Sequence, residues 1–296
     1  MRRLWLGGAL LLAGAALIAS FFWPRPSPWQ VTTEPVPVPA DYHGRHPIDA
    51  LTRWRLQHPD GRRLTLYVAR YRDDDDQSRQ ALVPAPDTPT WEHWQALGEA
   101  LNRLEPDALV LAWWDDAQRV DLLSGRKVWV RQPPADAFAA RDRALWRRLS
   151  GGFSDDEGRL RRLARWLTAP AGEGLAALHR DTPPRPRYLL VNADLLTRAD
   201  EVERLAGVKL PLEVRIFPPG DGLHAQIAAV QRWAGETGLG YLPRKIPAGI
   251  AAWRLAAPAD VLLLHLLPFT ANPPPPAGLT PVFQTPGRQL QLFRLQ

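Results

Sequence analysis

The stretch Leu109-Val-Leu-Ala-Trp-Trp-Asp-Asp-Ala-Gln-Arg-Val-Asp-Leu-Leu-Ser-Gly125 decides how the chain folds. Residues 108–114 form an apolar run of strand length and read as a buried strand. Residues 115–124 read as a short helix, with Gly125 just past its last turn, where a left-handed residue is favoured. A strand that runs straight into a helix is the repeating unit of an α/β sheet. Outward from this unit the alternation recurs. Residues 127–131 read as a strand, and residues 136–149 and 155–167 as helices. Ser154-Asp-Asp-Glu157 has the form of a capping box for the second of these. Residues 187–192 read as a strand, 198–206 as a helix ended by Gly207, 212–217 as a strand and 223–234 as a helix.

The tail changes character. Residues 249–256, 261–267, 279–284 and 289–295 read as strands, the last two joined across Thr285-Pro-Gly-Arg288. Upstream, Thr90 is a candidate N-cap for a helix with Trp94, Leu97, Leu101 and Leu104 on one face. Residues 51–57 and 63–71 read as a hairpin around His58-Pro-Asp-Gly61. Asp73–Asp76 lacks the spaced ligands and turn glycine of a calcium loop and reads as a solvated connection. The expected fold is therefore α/β: a mixed sheet with antiparallel strands at the C-terminus.

Before this domain, Leu4 to Trp23 is a run of twenty residues without charge, preceded by Arg2 and Arg3 and closed by Pro24. Twenty helical residues at about 1.5 Å each span roughly 30 Å, the thickness of a bilayer's hydrocarbon core. Trp5 at one end and Phe21, Phe22 and Trp23 at the other suit the two interfaces, and the leading arginines place the N-terminus in the cytoplasm. We read a single transmembrane helix that leaves the rest of the chain in the periplasm, on the inner membrane. A cleaved signal peptide is the alternative, but the run is long for one and Ile18-Ala-Ser20 is a poor cleavage site. The organisation expected is an anchor over 1–23, a Pro-rich stalk over 24–40, a β-hairpin region over 41–83 and the α/β domain over 84–296.

Composition limits the chemistry. The 296 residues contain no Cys, which excludes disulfides, thiolate metal sites, iron–sulfur clusters, a cysteine nucleophile and covalently attached c-type haem. The net charge of +6 is carried by Arg, without the basic stripe and interleaved aromatics of a nucleic-acid surface. No P-loop, dinucleotide fingerprint, nucleophile elbow or zinc-protease motif occurs. His43 and His46 lie in loop sequence with no third ligand nearby, so neither a metal nor another cofactor is expected.

The candidate site is Trp113, Trp114, Asp115 and Asp116, at the carboxyl end of a strand, where open α/β sheets bind ligands. Adjacent residues on a strand point to opposite faces, so one tryptophan is expected in an open crevice. The plainer reading makes Asp115 a helix cap. Asn192 and Asp194, in Tyr188-Leu-Leu-Val-Asn-Ala-Asp194, join the same crevice if their strand neighbours the first; otherwise they are turn residues. The role expected for all six is binding a ligand or partner. No catalytic residue is assigned.

Residues 109–126, with Phe153-Ser-Asp-Asp-Glu-Gly-Arg-Leu160 and Ala164-Arg-Trp-Leu167, resemble the hydroxylamine oxidation protein HaoB family, encoded beside hydroxylamine oxidoreductase in ammonia- and methane-oxidising bacteria. The resemblance covers most of the chain. It implies a membrane-tethered, non-catalytic accessory that scaffolds or assists hydroxylamine oxidoreductase or its cytochrome partners. A more distant resemblance is to the soluble domain of oligosaccharyltransferase catalytic subunits. Trp113, Trp114 and Asp115 match the first three positions of that family's Trp-Trp-Asp-Tyr-Gly motif, which recognises the acceptor sequon; Asp116 and Ala117 replace the last two. Residues 187–196 and 283–293 are also similar to its later strands. With no multi-span catalytic domain in these residues, that likeness implies a peptide- or glycan-binding module without transferase activity.

Overall fold

The structure, a computed structural model, describes residues 27–154, 158–220, 222–246, 248–271 and 274–296. The expected span over residues 4–23 lies outside the described residues; among those described, no helix is long and apolar enough to cross a membrane. The elements in chain order are β1 (Gln30–Val36), β2 (Ile48–Gln57), β3 (Arg63–Arg72), β4 (Ser78–Val83), α1 (Pro89–Asn102), β5 (Leu109–Leu111), α2 (Trp114–Ser124) and β6 (Lys127–Val128). There follow α3 (Arg143–Leu149), α4 (Arg159–Thr168), α5 (Ala171–Asp181), β7 (Arg187–Asn192), α6 (Ala199–Ala206), β8 (Leu212–Phe217) and α7 (Leu223–Gly235). The tail holds β9 (Tyr241–Ile246), β10 (Gly249–Leu255), α8 (Leu262–Leu266), β11 (Leu279–Gln284) and β12 (Leu290–Leu295).

Three sheets result. The central one is mixed, in the order β11-β12-β7-β5-β6, with β5 parallel to both β6 and β7, and β12 antiparallel to β7. Its two faces are covered by two apolar clusters. Leu111, Trp113, Leu189 and Val191 pack into the larger, with α4, α5 and α8; Val110, Leu190 and Leu292 pack into the smaller, with α1. An antiparallel meander β1-β2-β3-β4 and a three-stranded sheet β8-β10-β9 flank it. The mixed α/β fold with antiparallel strands toward the C-terminus is as expected.

Several elements differ from the sequence reading. Residues 30–36 are extended, but as β1 hydrogen-bonded to β2 rather than as a free-standing stalk. Pro35 is tolerated because β1 is an edge strand, with no strand beside it on its outer side among the described residues. The helix after the proline-rich connection starts earlier: Thr88, not Thr90, accepts the Trp91 amide at 3.3 Å, and Pro89 takes the first turn, where no amide is needed. The span 136–149 breaks into two single 3₁₀ turns before α3. α4 begins after Gly158 in a left-handed conformation, and the capping box runs into residues 155–157, outside those described. Within residues 261–267, read as a strand, Leu262–Leu266 form α8. Five buried leucines interrupted only by His265 carry no periodicity to separate the two states.

Candidate functional site

β5 stops at Leu111, three residues sooner than its sequence suggests, and Trp113 already stands at the N-cap of α2 with φ −61° and ψ 152°. This moves the tryptophans off the strand, so the alternation rule that predicted one exposed ring does not apply. Trp113 and Trp114 are 2% and 0% exposed. Both indoles instead converge on one acceptor, Glu201 of α6, whose Oε1 takes Nε1–H from Trp113 at 3.3 Å and from Trp114 at 3.1 Å. Trp114 stands edge-on to Phe138 and Trp146, and Phe138 stacks on Trp146 with centroids 4.8 Å apart. The expected open tryptophan crevice is therefore a closed aromatic wall.

Asp115 is not the cap either. It sits in the first turn of α2, buried, and Arg198 donates to both of its oxygens at 2.7 Å while Arg119, one turn on, donates at 2.9 Å. Burial works against its ionisation, but the two guanidinium charges outweigh it and hold Asp115 below the usual carboxylate range. Asp116 accepts from Arg119 and, at 3.0 Å, from Asn192 Nδ2. Its pKa is pushed up to about 6, by burial first and by the neighbouring Asp115 charge second. Burial likewise raises Glu201, against the pull of Arg198. Arg198 also lies over the Trp114 ring at 5.3 Å. Three carboxylates thus face two guanidiniums, and burial first, with the Asp115 charge a lesser contribution, makes Asp116 and Glu201 hold their protons more tightly.

The pairing of β5 with β7 does bring Asn192 to this cluster, as its strand position suggested. β5 is also the point where the chain order reverses, β6 lying on one side and β7 on the other, the place where open sheets form crevices. Asp194 turns away from the tryptophans. Its amide bonds the Asn192 side chain at 3.0 Å, and its carboxylate pairs with Arg244 of β9. These two residues line a cavity of about 260 Å³ with His93, Trp94, Arg244 and Gln289. The six expected residues therefore divide: Trp113, Trp114, Asp115 and Asp116 form a sealed cluster, Asn192 bridges it to the surface, and Asp194 lines an open cavity.

Arg119, Arg198, Glu201 and Arg244 were not singled out from sequence. Arg119 was findable, since it stands three and four residues after the two aspartates on a helix. The others are 50 or more residues from their partners, and no local pattern marks them. His43 and His46 diverge. The first contacts Glu99 at 3.0 Å, and the second is buried with its ring stacked on Tyr71 at 5.5 Å. Among the described residues no group of three or more His, Asp or Glu side chains is placed to hold a metal.

Fold and site together define a mixed α/β domain whose strand-end carboxylates Asp115 and Asp116 pair with its own arginines and Asn192 and whose open polar cavity lies beside them. The family model of the HaoA-associated protein HaoB matches residues 2–295, and the chain belongs to that family. No curated protein matches it. Among solved structures, the C-terminal domain of C. jejuni PglB is similar, with 14% identity, 68% of this chain and 99% of that chain covered, and a TM-score of 0.39. The C-terminal globular domain of an oligosaccharyltransferase from Archaeoglobus fulgidus is similar at 15% identity over 58% of this chain and 99% of that chain, with a TM-score of 0.28.

Proposed function

We propose that the chain is a non-catalytic accessory of hydroxylamine oxidation, anchored in the inner membrane by residues 4–23, with its folded part in the periplasm, where it binds hydroxylamine oxidoreductase or that enzyme's cytochrome partner. The observation that carries this reading is the match of the HaoA-associated HaoB family over nearly the whole chain. The site supports the non-catalytic part. General acid–base groups must reach a substrate within hydrogen-bond distance, whereas Asp115 and Asp116 are 3% and 4% exposed and already spent on arginines and an asparagine. The cavity beside them, with Asp194 and Arg244 at its rim, is the contact we assign to the partner. Tagged full-length protein, solubilised from membranes of a host that carries the oxidoreductase genes, should co-purify with the oxidoreductase or its cytochrome. Asp194→Ala combined with Arg244→Ala should reduce the recovered partner while leaving the thermal transition in place. Recovery of neither protein with the native chain would sink the proposal.

The second reading is a peptide- or glycan-binding module, and the cavity of about 260 Å³ lined by polar side chains is what favours it. Saturable binding of short peptides or oligosaccharides to the purified chain, lost in the same double variant, would select it over the first.

A further inference from the structure

β8 is the outer strand of the three-stranded sheet, paired on one side with β10 and on the other with nothing among the described residues. Its six residues, Leu212-Glu-Val-Arg-Ile-Phe217, run in unbroken register, and Val214 and Ile216 are 61% and 55% exposed. Proteins blunt such edges with an internal proline, a bulge or a covering loop, because free backbone groups template another strand. Here the prolines at 211 and 218 fall outside the strand. On α7, exposed Leu223 and Ile227 continue the stripe that buries Val230, and Gln226 between them is tied by its side chain to the Phe217 carbonyl at 2.6 Å.

The direction of each backbone group follows from the ladder. The Ala256 amide donates to the Pro211 carbonyl at 2.9 Å, one step beyond the Leu255–Leu212 pair. Hydrogen-bonded pairs alternate along an antiparallel ladder, so Glu213, Arg215 and Phe217 bond inward to β10. Leu212, Val214 and Ile216 point their amides and carbonyls outward. The Leu212 amide is already used on the Leu210 carbonyl, which leaves the amides of Val214 and Ile216 without a partner among the described residues.

We propose that β8 pairs antiparallel with β8 of a second copy of this chain, about a two-fold axis through Val214, joining two three-stranded sheets into one of six. Charge selects this register. With Val214 opposite its own copy, Glu213 faces Arg215 of the other chain on both sides of the axis, and opposite charges across strands attract. Arg215 has no acidic partner in its own chain among the described residues; its guanidinium lies over the Phe217 ring at 5.2 Å. Glu213 already meets Arg254 at 2.7 Å from the β10 side, so the row across the new sheet alternates positive, negative, positive. An axis at Glu213 or at Arg215 would instead set like charges face to face. On the other face, Leu212 meets Ile216 of the second copy, covering the exposed apolar edge.

The absence of cysteine makes the test clean. Facing Cα atoms in a hydrogen-bonded antiparallel pair lie about 5.5 Å apart, within reach of a disulfide. Full-length Val214→Cys in detergent should give a covalent dimer on mild oxidation, and Val282→Cys, also exposed on an outer strand, β11, should not. By sedimentation the native chain should be dimeric at tens of micromolar. Val214→Pro removes only an outward amide and should be monomeric with an unchanged circular dichroism spectrum. Should that variant misfold, Arg215→Glu places carboxylates opposite one another at an exposed position and should weaken the dimer at least tenfold. A native chain that sediments as a monomer, equal cross-linking at positions 214 and 282, or an Arg215→Glu dimer of native strength would each overturn the proposal.

Discussion

Asp115 holds three parts of the molecule at once: its own helix, Arg119 one turn along it, and Arg198 at the entry to α6. Read as a helix cap, it tolerates Asp115→Asn, which keeps an oxygen of the same size. Read as the carboxylate to which both Arg198 and Arg119 donate, it does not, because the amide of Asn removes the charge those bonds rest on and turns an N–H donor toward a guanidinium. We expect Asp115→Asn to destabilise by about 3 kcal/mol, the lower end for breaking a buried pair because Arg198 retains some solvent contact; chemical denaturation measures it, and a change under about 1 kcal/mol would restore the cap reading. Asp116 behaves oppositely. Its pKa rises from an ordinary 3.8 to about 6 on folding, so between those values the folded chain binds more protons than the unfolded one. Stability therefore falls as pH climbs through that window and is level above it. Asp116→Asn leaves two carboxylates against two guanidiniums and keeps an acceptor for Asn192. Its melting temperature should exceed that of the native chain above pH 6 and coincide with it near pH 3.5. A displacement that does not vary with pH would contradict the assignment.

At the scale of elements, the contact of α5 with the turn before it is set by an absent side chain. A Cβ on Gly174 would stand 2.4 Å from the Trp166 carbonyl and 3.1 Å from Leu262 of α8, whereas one on Gly172 would meet nothing within 4 Å. Alanine is the better helix former by up to about 1 kcal/mol, so propensity alone favours both substitutions. Packing reverses the sign at one of them. Gly172→Ala should be neutral or slightly stabilising, and Gly174→Ala should cost about 1–3 kcal/mol because the carbonyl is backbone and cannot swing aside. Paired thermal melts decide this, and equal shifts would show that α5 moves freely against α4. β1 makes a second case. Because Gln30–Val36 is paired with β2 and Glu34 bridges to Arg53, truncation before residue 27 should leave the melt unchanged, while truncation through residue 36 should lower it.

For the whole molecule the consequential question is which side of a membrane it occupies. The charge-free run from Leu4 to Trp23 behind Arg2 and Arg3 predicts that a reporter active only outside the cytoplasm, fused after Gln296, will be active. The mature protein should remain with membranes after a salt wash, and release of a soluble form beginning near Phe21 would favour a cleaved leader instead. A tether of this kind would, on the proposed function, keep the folded part in its partner's compartment, with the Asp194–Arg244 cavity as the surface offered to that partner.

The sequence by itself determined whatever depends on neighbours along the chain. Arg187–Asn192, Leu212–Phe217 and Leu279–Gln284 stand where alternation and turn residues put them, and Gly125 and Gly207 end their helices in the left-handed conformation, φ 62° and 78°. It left the meeting of Asn192 with the Trp113–Asp116 segment conditional on their strands being neighbours, and the parallel pairing of β5 with β7 met that condition. Tertiary structure alone decided the rest. Whether α2 begins at Trp114 or later turns on Glu201, which lies 87 residues away and draws both indoles inward. Whether Asp115 caps a helix or anchors an ion-pair network turns on Arg198, 83 residues away. A buried carboxylate and an exposed one are the same letters in the sequence, and the difference between them is the free energy of removing water, which only the packed neighbours supply.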